Sequence, residues 1–212
     1  DNLYLCISKS SEEDISDTKE GKKYISKIDI KDKDVKIRKE YKKYLKKAYP
    51  DINFNEVYAK EKVVYVREKS NTEIIKIQCK DGNLKIIADG VVDGTIDDNL
   101  SVDEYKGHIR MVTTVNDYKN LVSRIVVYNK QDEVIGYEDI YNEKVLENDF
   151  YKNDMHNNLY VLDSGMKVVS KTEGLAENEE IYSARFMGDY GYFVTYRNTD
   201  PLFAVDFSDI EN

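Results

Sequence analysis

YSARFMGDYGYFVTYRNTDPLFAVDFSD, residues 182–209, reads as three consecutive β-strands joined by very short turns. YSARFMG, YFVTYR and LFAVDFS alternate in polarity, while GDYG and NTDP turn the chain between them. Strand side chains point to opposite faces with period two, so this alternation marks a sheet with two different faces. Pro201 opens the third strand, where a missing N–H does little harm.

The same pattern extends outward. VVYVRE, HIRMVTT and YFVTYR look equivalent. Each is followed, after a variable connection, by a second strand: EIIKIQCKDGN, LYVLDSGMK and LFAVDFSD. The first two of these lead into a third strand, LKIIADG and VVSKTEG. Asp81-Gly82-Asn83 is a tight hairpin signal. An up-and-down sheet recurring every few tens of residues is the pattern of a β-propeller blade. The fold class expected is therefore all-β, an incomplete β-propeller of about three antiparallel blades. Its divisions are a partial blade over 1–35, a helical insertion over 36–54, and blades within 55–95, 96–175 and 176–212, the last incomplete.

Toward the N-terminus the reading is a strand over 1–8, an exposed loop over 9–23 and a second strand over Tyr24–Lys31. One helix is expected near 36–49, where Ile37, Tyr41, Tyr44, Leu45 and Ala48 recur at helical spacing and Pro50 follows as a stop. Its opposite face is rich in lysine, which reads as a solvated surface over a Tyr/Leu stripe packed on a sheet. Four short strands are expected between Asn55 and Val92. Residues 129–156 read as a hairpin-like insertion with an exposed tip.

Composition bounds the function classes. The 212 residues are 41% hydrophobic and 34% charged, which suits a chain with a real core. Eighteen tyrosines stand against six phenylalanines and no tryptophan. Tyrosine combines an apolar body with a polar tip and fits half-buried strand positions. A formal charge of −9 argues against nucleic acid as a partner. No apolar run is long enough to span a bilayer as a helix. Cys6 and Cys79 both sit in strand-like runs, and whether they pair is left open by spacing alone. GxxxxGK, GxGxxG and HExxH are all absent, so nucleotide-binding and zincin chemistry lack support.

Ser101, Asp103, Glu104 and Tyr105 stand in a Ser-x-Asp-Glu-Tyr segment. Gly107, His108 and Arg110 open a strand that runs into Thr113-Thr114. Arg185 to Asp189 reads Arg-Phe-Met-Gly-Asp, Thr199 to Phe203 reads Thr-Asp-Pro-Leu-Phe, and Asp206, Ser208 and Asp209 close the chain's last motif. On these segments the C-terminal half resembles bacterial and archaeal secreted proteins with a C-terminal β-propeller domain, distantly similar to WD40 propellers. The resemblance implies an extracellular or cell-surface address and a propeller fold, and it carries over no catalytic residues.

Three sets of residues are candidates for chemistry. Asp89, Asp93, Asp97 and Asp98 surround two glycines, and calcium is the cation such oxygens suit. Acidic turns are ordinary in an acidic protein, so no cofactor is expected. Arg197 and Asp200 at a blade end, with Glu104 and Arg110, form the candidate ligand-binding set. Their structural alternative is the ion pairs that hold neighbouring blades in register. His108 and His156 lack a nucleophile elbow nearby and read as ordinary strand and loop residues.

The expected function is a non-catalytic extracytoplasmic binding module for a protein, peptide or cell-wall component. The alternatives are a hydrolase or lyase with an acidic site near the channel, built on Asp103 and Glu104, and a purely structural scaffold. Open blade ends leave sheet faces uncovered, so self-association is expected. Light scattering should show dimers or larger species as concentration rises, and a monomer at every concentration would contradict this.

Overall fold

The computed structural model describes residues 2–147, 150–196 and 201–209. In chain order the elements begin with β1 (Asn2–Asp14), α1 (Lys19–Ile25), β2 (Lys33–Val35) and α2 (Lys39–Ala48). Then come β3 (Tyr58–Lys80), β4 (Asn83–Asp93), β5 (Val102–Tyr105), β6 (His108–Tyr128), β7 (Val134–Ile140) and α3 (Glu143–Leu146). β8 (Tyr151–Leu162), β9 (Val168–Leu175), β10 (Glu180–Met187), β11 (Tyr190–Tyr196) and β12 (Leu202–Asp206) complete the order. The fold is all-β, and the pairings for which registers are resolved are antiparallel.

Hairpin chemistry explains much of the local order. Asp81 and Gly82 both take positive φ, at 51° and 74°, and join β3 to β4. Lys106 and Gly107, at 50° and 81°, do the same between β5 and β6. Two consecutive positive φ angles give the turn whose twist matches that of the flanking strands.

β3 and β6 are long strands of 23 and 21 residues. Each is long enough to change neighbours along its length. The bonded order is β1-β3-β6-β8-β9, with β2 and β4 also beside β3, and β5 and β7 also beside β6. The chain accordingly divides into two compact units. One comprises Asp1–Glu12, Glu68–Tyr118 and Asn153–Asn212, and the other Glu13–Arg67 and Lys119–Lys152.

In the first unit the strands fall into three small sheet segments, two of them parts of the nine-stranded bonded sheet and the third a separate three-stranded sheet. The C-terminal half of β3 pairs with β4, from Asn71 opposite Asp93 to Lys80 opposite Asn83, and β1 lies on its other side. The N-terminal half of β6 pairs with β5, and beyond it lie β8 and β9. β10, β11 and β12 make the third sheet. Ile74, Met111 and Leu162 are fully buried in one core cluster, and Val112, Ile181 and Phe193 belong to a second. A polar seam ties the sheets. Thr95 and Thr114 exchange both backbone bonds at 2.9 Å. The Thr114 hydroxyl donates to Asn157 Oδ1 at 2.8 Å and accepts from the Ile181 N–H at 3.1 Å. Asn157, 1% exposed, also donates to the Glu179 carbonyl at 2.9 Å. Buried polar atoms are tolerable when paired in this way.

In the second unit β2, β3, β6 and β7 form a sheet, with β2 paired to β3 at Val35 opposite Ala59 and β7 paired to β6 at Val126 opposite Tyr137. The α2 helix lies where helical spacing places it, and Leu45 is fully buried against Ala59, Ile125 and Val127. A second cluster gathers Ile28, Val63, Tyr65, Leu121 and Val145.

Four local expectations are corrected. β1 runs on through residues 9–14 rather than becoming a loop. No strand covers Tyr24–Lys31; Thr18 caps α1 by accepting the Gly21 N–H at 3.0 Å, and Tyr24, Ile25, Ile28 and Ile30 reach one core from a helix and its following turn. The four strands expected between Asn55 and Val92 are two, because the polar run after Arg67 stays extended: Ser70 accepts the Gly94 N–H at 2.9 Å, and the fully buried Thr72 hydroxyl donates to the Gly94 carbonyl at 2.8 Å. Within 129–156 the β6–β7 hairpin is present, but α3 follows it and His156 lies on β8.

Candidate binding site

Two regions, one in each unit, bring polar and aromatic side chains to a cleft.

In the first unit the Ser101–Tyr105 segment and the start of β6 position two of the candidate residues. Arg110 is 2% exposed. It ion-pairs with Asp103, directly across the β5–β6 ladder, and donates to the Gly188 carbonyl at 2.7 Å in the β10–β11 turn. Its guanidinium lies over the rings of Tyr105, Phe186 and Phe207 at 4.5, 5.0 and 5.4 Å. Arginine suits this place because its planar cation stacks on aromatic faces and keeps its charge. Nearby, Lys106 reaches Asp189 at 2.7 Å. Arg110 therefore works in the interior as a tie between two sheets.

Glu104 is exposed and lines a cleft of about 570 Å³ together with Tyr4, Cys6, Asp97, Asp98 and Ile109. Burial, with the Glu104 carboxylate adding to it, pushes the Tyr4 phenol up to about 12. Burial also raises the Cys6 thiol. A raised thiol holds little thiolate and is a poor nucleophile. Cys6 and Cys79 are both free. Asp98 accepts the Leu100 N–H at 2.8 Å, which caps the 3-10 turn Asn99–Ser101. Asp89 and Asp93 are exposed on β4. Among the described residues no three His, Cys, Asp or Glu side chains gather as a metal site would need. Arg197 and Asp200 lie outside the described residues.

In the second unit a groove of about 660 Å³ runs between α2 and β7. It continues, through shared Ala48, Tyr49 and Ile135, into a second hollow of about 440 Å³ that reaches Asn53, Glu56 and Gln131. Tyr44, Tyr49 and Tyr137 line it and are 62%, 47% and 48% exposed. Tyr41 stacks on Tyr44 at 5.5 Å and donates its hydroxyl to the Tyr137 carbonyl at 2.7 Å. Burial raises the Tyr41 phenol above its ordinary value. Gly136 sits under Tyr41, where a β-carbon would stand 2.5 Å from the Tyr41 hydroxyl and 3.2 Å from Leu45. Glycine there lets α2 close on β7. Helical spacing read Tyr41, Tyr44 and Leu45 as one packed stripe. Only Leu45 is fully buried, because Tyr44 is one step further round the helix and turns outward. The groove itself had no signal in the sequence beyond the tyrosine excess, since Tyr137 comes from a distant strand.

The family model of the beta propeller domain matches residues 3–212. This chain belongs to that family. It is 33% identical over 126 residues to an uncharacterized protein of Methanocaldococcus jannaschii, covering 59% of this chain and 15% of the relative. It is 33% identical over 150 residues to an uncharacterized protein of Archaeoglobus fulgidus, covering 70% of this chain and 17% of the relative. The matched part is thus a small share of these relatives. No solved structure matches the chain. Among the described residues no helix is long and apolar enough to cross a membrane.

The Arg110 tie makes a stability prediction. Replacing Asp103 by Ala leaves a buried cation without its carboxylate and should cost about 3 kcal/mol. Adding Arg110→Met to Asp103→Ala should recover much of that loss. Urea unfolding of the two variants checks this, and an Asp103→Ala protein as stable as the parent would contradict it.

Proposed function

We propose that this beta propeller chain is a non-catalytic binding module that works outside the cytoplasm, with a protein, peptide or cell-envelope component as ligand. The observation that carries the reading is the open tyrosine-lined groove of the second unit. Tyrosine supplies large amphipathic contact area at low entropy cost, and two exposed tyrosines, Tyr44 and Tyr49, line one groove. Concave sites lined by aromatic groups with a few polar side chains are where ligands bind. The extracytoplasmic address rests on the family resemblance of the C-terminal segments. In the first unit the Glu104 cleft is the further surface open to a ligand. An acidic catalytic site would rest on Asp103 and Glu104 acting together, and Asp103 is committed to Arg110.

The test is an affinity pull-down from cell-envelope extract with the chain and its Tyr44→Ala variant. One partner recovered in near-stoichiometric amount by the parent, and lost by the variant, is the expected result. No partner from either the protein or the glycan fraction would count against a binding role.

A further inference from the structure

We propose that two copies of this chain associate head to tail, the outer face of the β10–β11–β12 sheet of each packing on the outer face of the β1–β3–β4 segment of the other. The contact uses the first unit alone and is independent of the tyrosine groove.

The packing inside the first unit sets the pattern. Its middle segment is stacked on both sides. Ile109, Met111, Tyr160 and Leu162 face the β1–β3–β4 segment, and Val112 and Leu159 face the third sheet. The two outer segments are each stacked on one side only. On the first, Tyr4, Ile74 and Val92 point inward. Alternation then turns Leu3 and Leu5 outward, together with Leu84, Ile86 and Val91, which stand opposite Cys79, Ile77 and Glu73. These five are between 46% and 71% exposed. On the last, Ile181, Ala184 and Phe193 point inward. Tyr182, Met187, Tyr190, Tyr196 and Leu202 are between 47% and 72% exposed on its other side. Contiguous apolar faces of this kind mark interfaces. A stack continues in one direction only when the open face of its last sheet meets the open face of its first. The chain therefore carries both halves of one contact.

Charge agrees with this pairing of unlike faces. On the first face Lys9 and Glu73 pair with each other, and Asp89 stands in mid-strand opposite Ile75. On the last face Arg185 stands in mid-strand opposite Tyr192. Head-to-tail contact sets these opposite charges on facing surfaces.

Area and number fix the size of the assembly. An eight-residue strand such as β10 and a width of three strands give a face of about 26 by 14 Å, or about 370 Å². One contact then buries about 740 Å², short of the roughly 1,000 Å² that a stable interface needs, whereas two contacts bury about 1,500 Å². Stability therefore requires the second contact that closes a ring. Two copies of three sheets bring six, within the roughly four to eight blades at which propellers close, and three copies bring nine. A head-to-tail contact whose rotation closes stops at that ring.

The test is light scattering after size exclusion, with Ile86→Asp on the first face and Met187→Asp on the last. Both positions are exposed. Leu84→Asp and Leu202→Asp replace either variant if it loses the circular dichroism of the parent. The parent is expected at twice its chain mass of 24.7 kDa, and no larger as concentration rises. Each variant damages both contacts of the dimer and should weaken association about a hundredfold. An equimolar mixture of the two variants keeps one intact contact, so it should recover a dimer, weaker than that of the parent. Either variant dimerising alone as tightly as the parent would overturn head-to-tail pairing, as would a mixture no more associated than its separate components. Assembly beyond the dimer would overturn closure. A parent that stays monomeric at every concentration would overturn the contact and leave the two faces to a different sheet partner. None of these outcomes bears on the Tyr44 pull-down.

Discussion

The Thr114 side chain holds the first unit together. Its hydroxyl uses one donor and one acceptor, and each goes to a different sheet: to Asn157 on β8 and from Ile181 on β10. Its backbone bonds the residue that follows the first sheet, Thr95. Apolar packing alone lets small sheets slide over one another, because it is non-directional. A buried, fully used hydroxyl fixes one arrangement, since leaving either partner unpaired costs the desolvation of that group. Arg110 repeats the device at the β5–β6 and β10–β11 turns with a charge, an acid and three rings. Thr113 donates its hydroxyl to the Asp93 carbonyl at 2.7 Å, so Arg110, Thr113 and Thr114 are each placed by geometry.

The second unit depends on the length of β3 and β6. A strand that outruns one set of partners must find another, because exposed apolar strand and unpaired backbone are both costly. Here their far segments carry a sheet with β2 and β7, closed on one side by α2 through Leu45 and Gly136. The helix is positioned by what it buries, and the tyrosines it leaves outside make the groove. Binding surface in this unit is a by-product of a narrow apolar stripe on a short helix.

Much of the fold was legible. Period-two alternation and the Asp81-Gly82-Asn83 turn gave all-β sheets, and helical spacing before Pro50 gave α2. What escaped reading has physical causes. Alternation at Tyr24–Lys31 looks like a strand, but a good cap at Thr18 and a shared core claim those residues for a helix and turn. The polar run between Arg67 and Thr72 looks like a break, but its bonds to Gly94 keep it extended. The site was far less legible. Arg110 and Glu104 stand close in sequence and serve opposite ends, one buried in a tie and the other lining a cleft. The groove joins Tyr44 to Tyr137 across 93 positions of chain, a juxtaposition that single-sequence periodicity does not carry.

The measurement that bears most directly on this account is amide hydrogen exchange at Ile181 in the parent chain and in Thr114→Val. Valine keeps the shape and removes the hydroxyl. If Thr114 is the node between the second and third sheets, Ile181 exchanges markedly faster in the variant and the protein loses about 1–3 kcal/mol of stability. Unchanged protection at Ile181 in a stable Thr114→Val protein would contradict it.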